Sequence, residues 1–222
     1  MKKMRVLILT LCAGIVMSGC TNMAKGTAIG AGGGAALGAV IGKIAGNTAV
    51  GAAIGTAVGA GAGALIGKHM DKVKKQAQAV QNAQVSEITD ANGFAGVKVT
   101  FDSGILFKTN SSTLDASANS CISQIANVLK ENSDVDVAIF GHTDNTGTDA
   151  INDPLSLKRA QAVQSKLKGL GVKNIKRVEG QGSKNPVADN STAEGKKQNR
   201  RVEVYMYASE EMVNAANNGT LQ

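Results

Sequence analysis

Asp144 and Arg159 stand fifteen residues apart in the stretch 141-GHTDNTGTDAINDPLSLKRAQAV-163. The pattern reads as strand end, turn, helix. The turn presents a carboxylate and the helix returns a guanidinium. One fixed negative group facing one fixed positive group suits a zwitterion, such as an amino-acid head carrying both ammonium and carboxylate. Each residue also has a plainer use. An Asp in a turn often bonds its own backbone, and Arg159 could be a solvated helix residue or a partner of Asp149 or Asp153. His142 sits near Asp144 and Ser156 and invites comparison with a nucleophilic triad. Adjacent strand positions point to opposite faces, however, and residues 85–207 contain no second His. A Ser-His-Asp triad and a metal site are therefore unsupported. No pair of carboxylates argues for a hydrolase. The expectation is a binding protein, not an enzyme, with no cofactor and no metal.

Residues 85–207 have the pattern of a compact α/β domain that can bury one core. Segments 85–89 and 96–101 flank Asp90-Ala-Asn-Gly93, a hairpin turn. Val97, Val99 and Phe101 alternate as strand residues do. Ser112, with Asp115 three residues later, predicts a helix cap. Leu114, Ala118, Cys121, Ile122, Ile125, Val128 and Leu129 then follow helical spacing. Val135, Val137 and Ile139 alternate again. A second helix is predicted from Leu155 to Leu167, with Pro154 as its start residue. Residues 175–179 read as a strand, a long polar loop follows, and Val202, Val204 and Met206 form the last strand. The fold class is α/β, an α+β sandwich. Its order is βαβαββ, a mixed sheet with helices on one face. Arg200 and Arg201 either complete the floor of the site or pair with Glu203 or the 189–195 loop. The structural pairing is favoured.

The net charge of +7 does not indicate nucleic acid. The first 70 residues hold six Lys or Arg and no acid, and the rest hold 18 basic and 17 acidic residues, a balance of +1. The globular part lacks the basic footprint that a polyphosphate partner requires. Aromatics are few and Trp is absent, which also argues against base stacking.

The start, MKKMRVLILTLCAGIVMSGC, has a basic opening, a short apolar run and small residues before Cys20. This is the layout of a secretory signal. It resembles a bacterial lipoprotein signal (residues 1–19), with Met17 in place of the usual Leu, and the resemblance implies lipidation of Cys20. Thr21, in place of an Asp, implies the outer membrane. Cys12 leaves with the signal, so Cys121 stays unpaired and is expected in the core. Residues 26–67 form a Gly/Ala-rich ladder. Glycines at 26, 30, 34, 38, 42 and 46 recur every fourth residue, and after a slip of one the series continues at 51, 55, 59, 63 and 67. Residues four apart share a helix face, and small faces let helices approach closely in lipid. The halves, of 21 and 17 residues, would be roughly 31 and 25 Å long as helices, near bilayer thickness. Residues 20–67 are thus expected to be a lipidated N-terminus and a transmembrane glycine-zipper helical hairpin, similar to those of envelope lipoproteins. Lys43, costly at mid-bilayer, must snorkel, face a partner or count against full insertion. A flexible linker would match the composition but does not need the spacing. The hairpin could pack on itself or on copies of itself, giving a homo-oligomer. Residues 68–84 read as a polar helical tether. Its lysines either meet anionic head groups or form a solvated face. Residues 208–222 read as a polar C-terminal tail.

The segments GHTDNTG (141–147), NDPLSLKRAQAV (152–163), EGQG (179–182) and NRRVEV (199–204) resemble the outer-membrane-protein-A-like (OmpA-like) domain. The resemblance covers about 100–207. It implies non-covalent binding of peptidoglycan through the free head of diaminopimelate in the stem peptide. By motif position, Asp144 and Arg159 hold that head. Thr143 and Asn152 match positions lining the same pocket. Phe107, in ILFKTN, falls where the family has pocket-wall residues. The implied protein is an outer-membrane lipoprotein whose globular domain lies in the periplasm and ties the membrane to the wall. The competing reading is a membrane-active or self-assembling zipper protein whose domain only positions it.

Overall fold

The computed structural model describes residues 60–90, 93–108 and 110–221. The signal, the Cys20 lipidation site and the zipper up to residue 59 lie outside the described residues. Alternating apolar positions build five strands: β1 (Ala83–Thr89), β2 (Ala95–Asp102), β3 (Val135–Gly141), β4 (Ile175–Gly180) and β5 (Arg201–Ala208). Their order in the sheet is β1-β2-β5-β3-β4. β3 and β4 are parallel, and the other neighbours are antiparallel. Six helices interleave: α1 (Ala60–Gln78), α2 (Ser103–Leu106), α3 (Ala116–Glu131), α4 (Asp149–Gly169), α5 (Ala193–Asn199) and α6 (Glu210–Asn217). The mixed α/β fold expected from the sequence is the fold found, with β1 added at the edge through the Asp90–Gly93 hairpin.

Period-2 alternation decides the two faces. Val97, Val99, Phe101, Val135, Val137, Ile139, Val202, Val204 and Met206 join the main core with α1, α3, α4 and α6. The other face carries a smaller cluster of Ile88, Ala138, Phe140, Tyr205 and Tyr207, with Phe140 and Tyr205 edge to face at 5.5 Å. Cys121 is buried in α3, and burial pushes its thiol up, so it behaves as a core residue.

Four expectations change. First, α3 begins at Ala116 and its cap is Asp115, whose carboxylate accepts from the Ala116 amide. Ser111, not Ser112, makes the local turn bond, to the Thr113 amide. Second, α4 begins at Asp149, six residues before Leu155, so Pro154 lies inside the helix. Pro cannot give the amide bond back to residue 150, but Ala150 is exposed and water can serve its carbonyl. Third, residues 208–222 are not simply a tail. Ser209 caps α6 by accepting from the Met212 amide, and Met212, Val213 and Ala216 are buried.

Fourth, the expected tether does not stand apart from the domain. Ala62, Ile66, Met70, Val73 and Ala77 are buried. They recur at helical spacing on one face of α1 and enter the main core. Polar bonds secure the same helix: Gln76 donates to Glu131 (2.9 Å), Asn132 donates to Gln76 (2.7 Å), and Lys74 reaches Glu87 (2.7 Å). The second half of the zipper is therefore shared. Residues 60–67 are built into α1, and a core helix cannot also cross a bilayer. Among the described residues, no helix is long and apolar enough to cross a membrane.

If α1 belongs to the cooperative unit, Ile66→Ala removes a fully buried side chain and should cost about 2–5 kcal/mol. Urea unfolding of the full chain measures this. A free tether would give a change within about 0.5 kcal/mol.

Candidate functional site

The site lies at the carboxyl end of β3, where the chain leaves the sheet and turns into α4. Two glycines let α4 come this close. A Cβ on Gly141 would collide with the Ser156 carbonyl, and one on Gly180 would collide with the backbone at Leu157. Ser156 is fully buried. Its hydroxyl donates to Asp153 O (2.8 Å) and accepts from the Gly182 amide (3.0 Å). The Thr143 amide donates to Gly182 O at 2.9 Å. The glycine motifs at 141 and 179–182 thus clamp helix, strand ends and turn together.

Asp144 is 6% exposed. Its Oδ1 accepts from the Thr146 amide at 2.8 Å, and Asn152 donates to Thr146 O at 3.1 Å. Asn152 therefore closes the turn that aims Asp144. Gly147, at φ +89°, supplies the left-handed residue of that turn. The Oδ2 of Asp144 accepts from Arg200 Nη1 at 2.5 Å. Burial raises the Asp144 carboxyl, but the Arg200 and Thr146 bonds outweigh it and hold the group below its ordinary value. This corrects the expectation for Arg200, which bonds Asp144 and not Glu203. Arg201 is the residue that pairs with Glu203, at 2.8 Å.

Arg159, 4% exposed, comes from the middle of α4. Its Nε donates to Ser111 O at 3.0 Å, and its guanidinium lies 5.5 Å from the centroid of the Phe107 ring, a cation–π distance. Burial and the nearby Arg200 charge depress its pKa, while Asp144 opposes them. Arg159 and Asp144 make no direct ion pair within 4.0 Å, and Asp153 instead pairs with Lys184 at 2.7 Å. The Nη edge of Arg159 has no acceptor among the described residues. Asp144, Arg159 and Arg200 together leave one positive charge unbalanced beside a largely buried guanidinium. Thr143 adds a buried hydroxyl with no hydrogen-bond partner.

The structure thus brings Asp144, Arg159 and Arg200 into mutual electrostatic reach. Phe107 stands under the guanidinium, and Asn152 and Thr143 belong to the turn. Three contributors were not read from the sequence. Ser111 is one, and its role is carried by a backbone carbonyl that no side chain announces. Arg200 was visible in NRRVEV but was read as structural. Asn199, fully buried, accepts from the Val187 and Ala188 amides and donates to Ala188 O and Asn190 Oδ1. Asn190 Oδ1 in turn accepts from the Asn145 amide at 3.2 Å. The loop before β5 is thereby tied to the turn that carries Asp144.

A second network backs the site. His142 Nε2 lies 3.3 Å from Glu203 Oε2, and Tyr205 donates to the same oxygen at 2.7 Å. Burial pushes the His142 imidazole down despite the pull of Glu203. Burial alone would raise Glu203, but His142 and Arg201 hold its carboxyl far below the usual range. Arg201 and Tyr205 serve the Glu203 carboxylate, the buried ring nitrogens of His142 make no hydrogen bond among the described residues, and among those residues no His/Cys/Asp/Glu cluster could hold a metal ion.

Comparison with known proteins agrees with this geometry. Residues 106–200 match the model of the OmpA family, and residues 1–71 match that of the YMGG-like Gly-zipper. The chain thus joins a zipper segment to an OmpA-like domain, as the motifs implied. It is 38% identical over 133 residues to the probable lipoprotein YiaD of Escherichia coli, covering 55% of this chain and 61% of that one. It is 42% identical over 102 residues to the peptidoglycan-binding protein ArfA of Mycobacterium tuberculosis, covering 45% and 31%. The chain therefore spans less than two thirds of these curated relatives. Among solved structures it is similar to the cell wall anchor of the T6SS from Pseudomonas aeruginosa, with a TM-score of 0.51 and 26% identity over 63% of this chain and 97% of that one. A MotB-like protein from Desulfovibrio vulgaris, at 19% identity and a TM-score of 0.56 over 66% and 94%, shares the fold. These are names of binding and envelope proteins, not of enzymes.

The folded pKa values of both His142 and Glu203 are lowered. Unfolding therefore takes up protons, and their stabilisation is present at neutral pH and lost on acidification. The loss should begin as pH falls through the ordinary His value of 6.5, at up to about 1.4 kcal/mol per pH unit for one proton. In His142→Gln the decline of unfolding free energy between pH 7 and 5 should be flatter than in wild type. Equal slopes would mean that His142 charges as readily in the folded protein as in the unfolded one.

Proposed function

We propose that the domain binds peptidoglycan non-covalently by the free head of diaminopimelate in the stem peptide. The ligand's carboxylate takes the two-pronged Nη edge of Arg159. Its ammonium takes Asp144, whose carboxylate has lone pairs left after Thr146 and Arg200 are served. Phe107 holds the guanidinium plane, and Thr143 and Asn152 shape and fix the turn. The observation that carries this reading is Arg159 itself. It is nearly buried and has one carbonyl and one ring as partners. A buried charge without a counter-ion is costly, and a ligand carboxylate supplies that counter-ion. The relatives named as a peptidoglycan-binding protein and a cell wall anchor support it.

The wider reading is an outer-membrane lipoprotein, anchored through lipid on Cys20, with the domain in the periplasm tying membrane to wall. The relatives named as a probable lipoprotein and as outer membrane protein A of Bordetella avium support it. One head bound at one clamp gives modest affinity, since the pairing gain at buried groups is offset by taking the ligand's own two charges out of water. Many stems met by many anchored copies raise the effective affinity.

Co-sedimentation with purified sacculi tests the clamp. Asp144→Ala and Arg159→Ala should each lower retention about tenfold or more, a loss of about 1.4 kcal/mol. Retention equal to wild type would remove the reading. Deleting residues 26–59, which spares α1, should leave sacculus binding intact. A loss there would instead assign the binding to the zipper.

A further inference from the structure

A cavity of about 580 Å³ opens on the sheet face opposite the main core, with α5 as one wall. That size is within the usual range for small-ligand pockets. Its floor is the buried Arg201–Glu203 pair, and Lys98 lies 3.7 Å from the same carboxylate. Lys197 lies 3.8 Å from Asp102. The three lining cations, Lys98, Lys197 and Arg201, meet three lining carboxylates, Asp102, Glu194 and Glu203, so the cavity carries no net charge and does not call for an anion. What faces it unpaired is neutral. The side-chain amides of Gln84 and Gln198 and the hydroxyl of Thr100 have no hydrogen-bond partner in the protein, and Val187, 55% exposed, supplies an apolar rim. Neutral donors and acceptors over a rigid paired floor suit a polyhydroxylated ligand that also carries amides.

Position narrows the choice. Arg200 reaches Asp144, and Arg201, the next residue, lies in the cavity floor. The two residues are consecutive, so one chain segment, the α5–β5 junction, serves both sites, with Arg200 turned to the clamp and Arg201 to the cavity. In peptidoglycan two residues separate diaminopimelate from the glycan; extended they reach roughly 7 Å, and the side chain of diaminopimelate, whose far end is the bound head, lengthens that reach. A stem held by its head can therefore carry its sugars to this face.

We propose that the cavity is a second subsite, which takes the N-acetylated sugars of the glycan strand carrying the stem. The proposal rests on the clamp reading above. The protein then reads the polymer at two points, ions at the clamp and neutral hydrogen bonds at the cavity.

The test titrates the full chain with three probes: a stem tripeptide ending in diaminopimelate, the same tripeptide on its N-acetylated disaccharide, and the disaccharide alone. The double variant Gln84→Ala/Gln198→Ala changes two exposed side chains without protein partners, so its fold should be unaffected. Wild type should bind the disaccharide-peptide roughly fivefold or more tighter than the tripeptide, as two added hydrogen bonds allow. The double variant should erase that advantage and leave tripeptide affinity unchanged. An advantage that persists in the variant, or is absent from wild type, overturns the subsite. If the tripeptide itself does not bind, the clamp reading has failed. The disaccharide alone then decides the cavity: binding that the double variant abolishes supports it, and no binding overturns it.

Discussion

A guanidinium taken out of water is the constraint that organises this domain. Arg159 could reach its position only because Gly141 and Gly180 let α4 lie directly on the strand ends. Once there it has lost its hydration, and the protein returns only part of it: one carbonyl from Ser111 and one ring face from Phe107. A second arginine, Arg200, occupies the nearest carboxylate. The cluster is therefore short of one negative charge by construction. A purely structural arginine would be expected to have its fork filled, as Arg201 does with Glu203, Asn199 O and Asn185 O. The contrast between these two buried arginines distinguishes a recognition element from a scaffold element.

The scaffold element has its own logic. Arg201, Glu203, His142, Tyr205 and Lys98 share one sheet face near the end of β5. Arg201 and Lys98 both bear on the one Glu203 carboxylate, and its bonds from Arg201 and Tyr205 fix the strand ends. Asn199 does the same for the preceding loop through four hydrogen bonds. Because Asn199, Arg200 and Arg201 are consecutive, a single chain segment holds the loop, the clamp carboxylate and the sheet face in register.

How legible this was from sequence depends on the physics of each element. β2, β3 and β5 were plain because each buries one face or both, so apolar residues recur at period 2. The apolar stripe of α3 was equally plain. The start of α4 was hidden by Pro154, which normally opens a helix and here interrupts one. α5 and α6 were missed because they are 7 and 8 residues long, too short for periodicity to stand above polar composition. Asp144 and Arg159 were found by spacing together with the motifs. Arg200 was misassigned because two adjacent arginines carry no sign of which faces the site, and only the turn into β5 decides it. Ser111 acts through its backbone and could not have been found from its side chain.

The docking of α1 changes what the N-terminal segment can do for the domain. The sequence suggested a polar helix that would leave the domain free to swing. Instead the chain enters the core at Ala62 and is bolted to α3 and β1 through Gln76 and Lys74. If Cys20 carries lipid, the span available between anchor and domain is the forty residues 20–59. That is about 130 Å fully extended and about 60 Å if helical. The ladder glycines that continue into α1, Gly63 and Gly67, have open space where a side chain would stand, so their smoothness serves no packing within the domain. The ladder spacing therefore belongs to the zipper, while the Ile66, Met70 and Val73 stripe belongs to the domain. One helix carries both patterns at different positions.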